Sequence, residues 1–281
     1  MGYMHIDNLY KNDTVLMFKE LYALEKIHGT SAHVSYKAGV LHFSPGGCKL
    51  ETFMGIFDQE ILKQRFEMLG HETIICFGEQ YGGKQQGMSG TYGKEARFVV
   101  FDVKIGDTWL CVPDAADVAN KLGLEFVYYK QIRALIEEVD AERDSDSVQA
   151  IRNNVGPNKM REGVVLRPLQ EFVNNRGERV IAKHKRDEFR ETTTPRKVGD
   201  PIQTLVGEKA SLEWVTDARL AHVLDKITAP HDEKQIGNVI KAMLDDIERE
   251  GGAEVSMDKG TRRIMSSAIV TLYKKHVFNK T

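Results

Sequence analysis

Five short segments of this chain carry side chains suited to chemistry at phosphorus: Glu25-Lys26-Ile27-His28-Gly29-Thr30, Phe77-Gly78-Glu79, Phe98-Val99-Val100-Phe101-Asp102, Glu162-Gly163-Val164-Val165-Leu166-Arg167 and Ala182-Lys183-His184-Lys185. Together they offer a nucleophilic amine, carboxylates for ribose hydroxyls and a metal ion, an aromatic face for a base, and paired cations for phosphate. Lys26 precedes Gly29 after an apolar approach through Leu21, Tyr22 and Leu24. An ordinary lysine has a pKa of about 10.4, so a neutral amine near pH 7 costs roughly 4 kcal/mol unless nearby cations or burial lower it. Lys183 and Lys185, helped by a divalent ion, are the candidates for that repulsion. Taken alone, Lys26 reads as a surface lysine.

Lys183 and Lys185 alternate with Ala182 and His184, so on an extended segment both ammonium groups face one side. Such a pair suits a polyanion, phosphate above all; the plain alternative is an edge strand guarded by lysines. Glu162 opens an apolar run. At a strand mouth its carboxylate can hold Mg2+ with waters and substrate oxygens, or simply bound the strand. Glu79 lies between Phe77-Gly78 and Tyr81-Gly82-Gly83, where glycines permit close backbone approach and a carboxylate can accept from ribose hydroxyls. Of Phe98 and Phe101, on a strand whose default is core packing, Phe101 beside the polar Asp102 is the better candidate to cover a purine. The Gly87-to-Gly93 loop lacks the strand-to-helix order and following lysine of a Walker motif, so P-loop chemistry has no support. It reads as a mobile surface loop able to touch substrate.

These side chains need a framework. Up to about Arg190 the pattern is mixed, with strands expected at Ala32–Tyr36, Val40–Phe43, Thr73–Phe77, Arg97–Val103, Trp109–Val112, Val164–Arg167 and Arg179–Ala182. Lys37-Ala38-Gly39 and Ile105-Gly106-Asp107 have hairpin-turn chemistry, favouring antiparallel pairing. Asp58 can cap a helix carrying Ile61, Leu62, Phe66 and Leu69, and Asp114 another ending near Gly123. After Pro201 the pattern becomes helical: Leu220, Val223, Leu224 and Ile227 share one face. A second helix, capped by Asp232, carries Ile236 through Ile247 until Gly251-Gly252, and a third carries Ile264, Met265, Ala268, Ile269 and Leu272. The expectation is an α+β domain over residues 1–198, of antiparallel sheets with flanking helices, and a small all-helical domain over 199–281, joined through Thr192-Thr193-Thr194-Pro195.

At 281 residues, 41% hydrophobic and 28% charged, the chain can bury two cores. A net charge of −2 gives no global attraction to nucleic acid. Local charge differs: Lys183, Lys185, Arg186, Arg190, Arg196 and Lys197 outnumber the acids among them, and Lys259 through Arg262, Arg263, Lys274, Lys275 and Lys280 contains no Asp or Glu. Read alone, these are two solvated basic faces. The first residues lack a basic, apolar leader and no apolar run reaches roughly 18 residues, which predicts a cytoplasmic protein without membrane insertion. Cys48, Cys76 and Cys111 are far apart and read as buried thiols.

Taken together the five segments resemble the signature motifs of covalent nucleotidyltransferases, the ATP-dependent ligases and capping enzymes. The form Glu-Lys-Ile-His-Gly-Thr, with His28 where most ligases have Asp, is similar to the RNA ligase 2 branch that includes the RNA-editing ligases. The resemblance runs over roughly residues 20–190. It implies that Lys26 takes the adenylate, Glu79 binds ribose, Phe101 stacks on adenine and Glu162 serves the metal. Lys183 and Lys185 would contact phosphates, His28 and Arg167 would serve later steps or phosphate handling, and Glu25 and Ile27 would complete the ATP site. Asp102 is a weaker match. The implied cofactors are ATP and Mg2+ or Mn2+, the partner is RNA (a nicked duplex or an RNA/DNA hybrid included), and the state is a monomer. One departure stands out: His42-Phe43-Ser44-Pro45-Gly46-Gly47-Cys48-Lys49 lacks the family's arginine, and Lys49 does not reproduce a guanidinium fork. A DNA ligase, an RNA guanylyltransferase and a catalytically inactive RNA-binding module remain the alternatives.

Overall fold

The computed structural model describes residues 2–227, 229 and 231–278, so Lys280 of the C-terminal basic run lies outside the described residues. The chain divides into two compact units, Met1–Arg186 and Asp187–Thr281.

The first unit is an α+β fold with two antiparallel sheets. One is ordered β7-β1-β8-β9, from β1 (Glu20–Lys26), β7 (Tyr129–Arg133), β8 (Gly163–Pro168) and β9 (Ala182–Lys185). The other is ordered β3-β2-β4-β5-β6, from β2 (Thr30–Lys37), β3 (Val40–Ser44), β4 (Thr73–Gly82), β5 (Ala96–Ile105) and β6 (Thr108–Trp109). The β2–β3 hairpin turns through Ala38 and Gly39, both with positive φ, as a tight antiparallel turn demands. The second sheet shares a core with α1 (Leu50–Met54), α2 (Gln59–Met68) and α4 (Val112–Leu122), where Val34, Ile74, Cys76, Val100 and Val103 join Phe53, Leu62, Phe66, Ala115 and Leu122. Asp58 caps α2 by accepting from the Ile61 amide at 3.1 Å. Shorter helices α3 (Ser89–Tyr92), α5 (Ile136–Arg143) and α6 (Val148–Arg152) fill the connections.

Several elements differ from the sequence expectation. β6 holds only Thr108–Trp109, because Pro113 in the first turn of α4 starts the helix at Val112. The N-cap is therefore Cys111, and Asp114 accepts from its thiol at 2.9 Å from inside the first turn. The strand expected at Arg179–Ala182 lies at Ala182–Lys185 instead. β1 and β7 carried no clear alternation, since β1 is a central strand buried on both faces. Of the three thiols only Cys76 is buried; Cys48 and Cys111 are half-exposed.

The second unit contains α7 (Gly207–Trp214), α8 (Asp217–Leu224), α9 (Ile236–Gly251) and α10 (Lys259–Phe278). Trp214, Leu220, Val223, Val239, Met243, Ile247, Met265, Ile269 and Tyr273 form its core. Ile264 stays exposed, one step off the buried stripe. Thr216 caps α8, while Asp232 accepts from the Lys234 amide at 2.9 Å in the single turn that leads into α9. Thr193 and Thr194 hydrogen-bond to Glu213, so the threonine-rich segment is part of this unit. Among the described residues no helix is long and apolar enough to cross a membrane.

Candidate active site

Three neighbouring strands place the charged residues. In the ladders β1–β8 and β8–β9, Lys26 is opposite Gly163 and Gly163 is opposite Lys185. Directly paired residues of antiparallel strands share a face, so Lys26 and Lys185 flank a position with no side chain. One step along, Leu24, Val165 and Lys183 form the next row on that face. Gly163 has φ +152°, and a Cβ there would stand 2.1 Å from the His184 carbonyl oxygen. The glycine is what lets β8 and β9 close at this point.

Glu162, one residue before β8, is the hub. Its Oε2 lies 2.9 Å from Lys26 Nζ and 3.1 Å from His28 Nδ1, and its Oε1 lies 2.9 Å from Lys185 Nζ. The carboxylate is buried, whereas Lys26 retains 22% of its side-chain exposure. Burial pushes the Glu162 carboxyl up, but Lys185, Lys26 and His28 outweigh it and hold the group well below the usual range. The ionised carboxylate thus faces three nitrogen groups. Lys183 sits deeper: its backbone accepts from Leu9 N at 2.8 Å and donates to Asp7 O at 2.9 Å, which fixes β9 on its outer edge.

Glu25 points to the opposite face. Its carboxylate accepts from Ser147 Oγ at 2.5 Å and from the amides of Val148 and Gln149 at 3.0 and 3.2 Å, at the start of α6. Burial raises its carboxyl, against the hydrogen bonds from Ser147 and the helix. Beyond Lys26 the chain crosses from one sheet to the other through Ile27, which is buried, His28 and Gly29. A Cβ on Gly29 would meet Gln80 O of β4 at 2.2 Å, so this glycine serves close approach. Glu79, also in β4, pairs with Ser31 and Val99. Burial pushes the Tyr92 phenol well up, and the charges of Glu25, Glu162 and Glu79 add to the rise.

Phe101 falls at a register shift between β4 and β5 and is half-buried. Its ring meets Tyr3 edge-on at 4.9 Å, and Tyr3 also packs on Phe77 and Trp109. Arg167 and Asp102 lie elsewhere than the Glu162 hub. Arg167, itself buried, donates to the buried Asp102 Oδ1 at 3.0 Å, to Leu110 O at 2.7 Å and to the half-buried Glu171. Arg179 reaches the other oxygen of Asp102 at 2.6 Å and stacks 4.2 Å from the Trp109 ring, and Tyr3 donates to the same oxygen at 2.7 Å. This network ties β8 to β5. Tyr3, Arg179 and Glu171 carried no sequence signal, because their partners are distant in the chain. The loop lacking the family arginine packs against β2, where a Cβ on Gly46 would stand 2.2 Å from Ser31 O; Lys49 is exposed at the start of α1.

A family model described as RNA ligase matches residues 19–185, more than half of the chain. The chain belongs to the RNA ligase family. Its fold is similar to that of Naegleria gruberi RNA ligase. A point mutant of that enzyme with ATP and Mn gives 14% identity and a TM-score of 0.52, over 67% of this chain and 57% of that one. A second mutant with AMP and Mn gives 14% and 0.53 over 67% and 57%, and the ligase with PPi gives 15% and 0.52 over the same shares. At these identities the likeness is one of fold. The chain spans a little over half the length of those ligases. No curated protein matches it.

Proposed function

We propose that this RNA ligase family member is an ATP-dependent enzyme that joins a 3′-OH to a 5′-phosphate through an adenylate carried on Lys26. The observation that carries the proposal is the convergence of Lys26, His28 and Lys185 on the one buried carboxylate of Glu162. In the first step deprotonated Lys26 Nζ attacks the α-phosphorus of ATP; the N–P bond forms as the bridging P–O bond breaks, and pyrophosphate leaves. AMP then passes to a 5′-phosphate end as a pyrophosphate linkage, and a 3′-OH displaces AMP to close the strand. Each step is in-line substitution at phosphorus, where position and charge do most of the work.

The residues divide these tasks. Glu162 orients Lys26 by accepting from it. Lys183 and Lys185, facing the Lys26 side of the sheet, neutralise phosphate oxygens in each step. Phe101 covers the adenine, Glu79 accepts from ribose hydroxyls, and Glu25 with Ile27 sets the backbone beside the base. His28, which shares the Glu162 carboxylate with Lys26, serves the later steps. Arg167 acts at a distance by locking β8 to β5.

Among the described residues no three His, Cys, Asp or Glu side chains gather as a metal site. A single hard carboxylate suits Mg2+ or Mn2+, which keep waters and take phosphate oxygens; Glu162 would hold the ion by exchanging one of its contacts with Lys26, His28 or Lys185 for it. Bound there, the ion supplies charge neutralisation at the phosphates.

Incubation with α-labelled ATP or GTP followed by denaturing electrophoresis tests the nucleotide, and sealing of nicks with a ribose or deoxyribose 3′ end tests the strand. The proposal expects label from ATP alone and faster closure at the ribose terminus, whose 2′-OH adds a donor and an acceptor. Label from GTP would indicate a capping enzyme, and equal sealing of both termini a DNA ligase. RNA binding without any label would leave a non-catalytic module.

A further inference from the structure

The glycine-rich segment between β4 and β5 has no part in the chemistry above. Its base is closed by Gly83 N donating to Gly93 O at 3.0 Å, with Gly93 at φ +93°. From this loop Tyr92, fully buried and packed edge-on against Tyr81 at 5.3 Å, brings its hydroxyl 3.3 Å from the His28 amide, which donates to it. Two residues further on, Thr30 Oγ1 accepts from Gln85 Nε2 of the same loop at 2.7 Å. The loop therefore touches the turn after Lys26 at two points.

The contacts form a closed circuit. The Tyr92 carbonyl accepts from Asn153 Nδ2 at 2.9 Å, and Asn153 Oδ1 accepts from Gln149 Nε2 at 3.2 Å. Gln149 in turn donates its amide to Glu25, the residue before Lys26. One path holds Lys26 through Glu25 and the other through His28, and both meet at Asn153 and Gln149. Of these links only Glu25 and His28 belong to the motif itself.

We infer that the segment from Gly83 to Gly93 is a brace for the nucleophile turn, and that Tyr92 is a positioning residue that fixes Lys26 through the His28 amide. This rests on the reading of Lys26 as the adenylated residue. The loop's bonds to His28 and Thr30 assign it to alignment of the amine. Losing a brace leaves ATP binding intact and slows attack, because in-line substitution is sensitive to small misplacement of the attacking atom.

Tyr92→Phe keeps the ring and removes only the hydroxyl. Full-length wild type and variant are compared by amide hydrogen exchange at His28 and by single-turnover adenylation across ATP concentrations. The brace predicts His28 exchange faster by about tenfold and an adenylation rate lower by about tenfold at saturating ATP, with half-saturation within about twofold of wild type. Gln85→Ala, which removes the other tie, should lower the same rate constant and serves if the phenylalanine variant fails to fold. Unchanged His28 exchange, or an unchanged rate with weaker ATP saturation, overturns the brace. If wild type forms no adenylate, the reading of Lys26 falls while the exchange comparison still decides whether Tyr92 holds the turn.

Discussion

Lys26 Nζ and Glu162 Oε2 lie 2.9 Å apart although 136 positions separate them in the chain. The contact joins the end of β1 to the start of β8, and Lys185 from β9 completes it on the other oxygen. Three strands are thus sewn together at the point where the amine stands, which couples local stability to the geometry of attack.

Acid stability reports this cluster. Burial works against ionisation of Glu162, but Lys185, Lys26 and His28 keep its carboxyl well below its ordinary value of 4.5. Between that value and the folded one, the unfolded chain binds a proton the folded chain does not, so this contribution is complete above pH 4.5 and is lost as pH falls through the folded pKa. Urea unfolding should show a steeper loss of stability below about pH 4.5 in wild type than in Glu162→Gln, whose amide does not titrate. Parallel curves would mean that the cluster holds no charge-dependent stability.

Gly163→Ala tests strand closure. The added methyl would meet the His184 carbonyl at 2.1 Å on a backbone with φ +152°. We expect a loss of about 1–3 kcal/mol in urea unfolding, together with slower adenylation as Lys185 moves from Glu162. Wild-type stability would show that β8 and β9 can separate freely.

Arg167→Ala separates a structural role from a nucleotide contact. Its guanidinium is fully buried on Asp102, Leu110 and Glu171, and removing it leaves Asp102 with Arg179, Tyr3 and the Val103 amide. The expected cost is about 3–5 kcal/mol of stability. A stable variant whose only defect is weaker ATP saturation would place Arg167 at the phosphates.

Phe101→Ala should raise the ATP concentration for half-maximal adenylation, with a loss of about 1–3 kcal/mol of stacking free energy. The rate at saturating ATP should change less, since the ring meets the base and leaves the reacting phosphorus alone. An unaltered ATP dependence would remove Phe101 from the base site.

Much of this was legible from residue order. Helix α9 repeats apolar residues at three and four positions and ends at a glycine pair, so its span follows from local chemistry. The Lys26, Glu162 and Lys185 motifs were each recognisable, yet nothing in their spacing reveals that they meet on one carboxylate. That meeting is set by strand order, which is a property of the whole sheet. Arg167 shows the reverse: the family resemblance gave it to later steps or phosphate handling, but its guanidinium donates to Asp102, 65 residues away. Glu25 is drawn off likewise by the Val148 and Gln149 amides at the start of α6, 123 and 124 positions away in the chain.

The most direct test is the intact mass of the purified protein after incubation with ATP and Mg2+, with peptide mapping of any adduct. The account predicts one acid-labile adenylyl group, on Lys26, absent from Lys26→Ala and released by pyrophosphate. No adduct on wild type, or the same adduct on the variant, would contradict it.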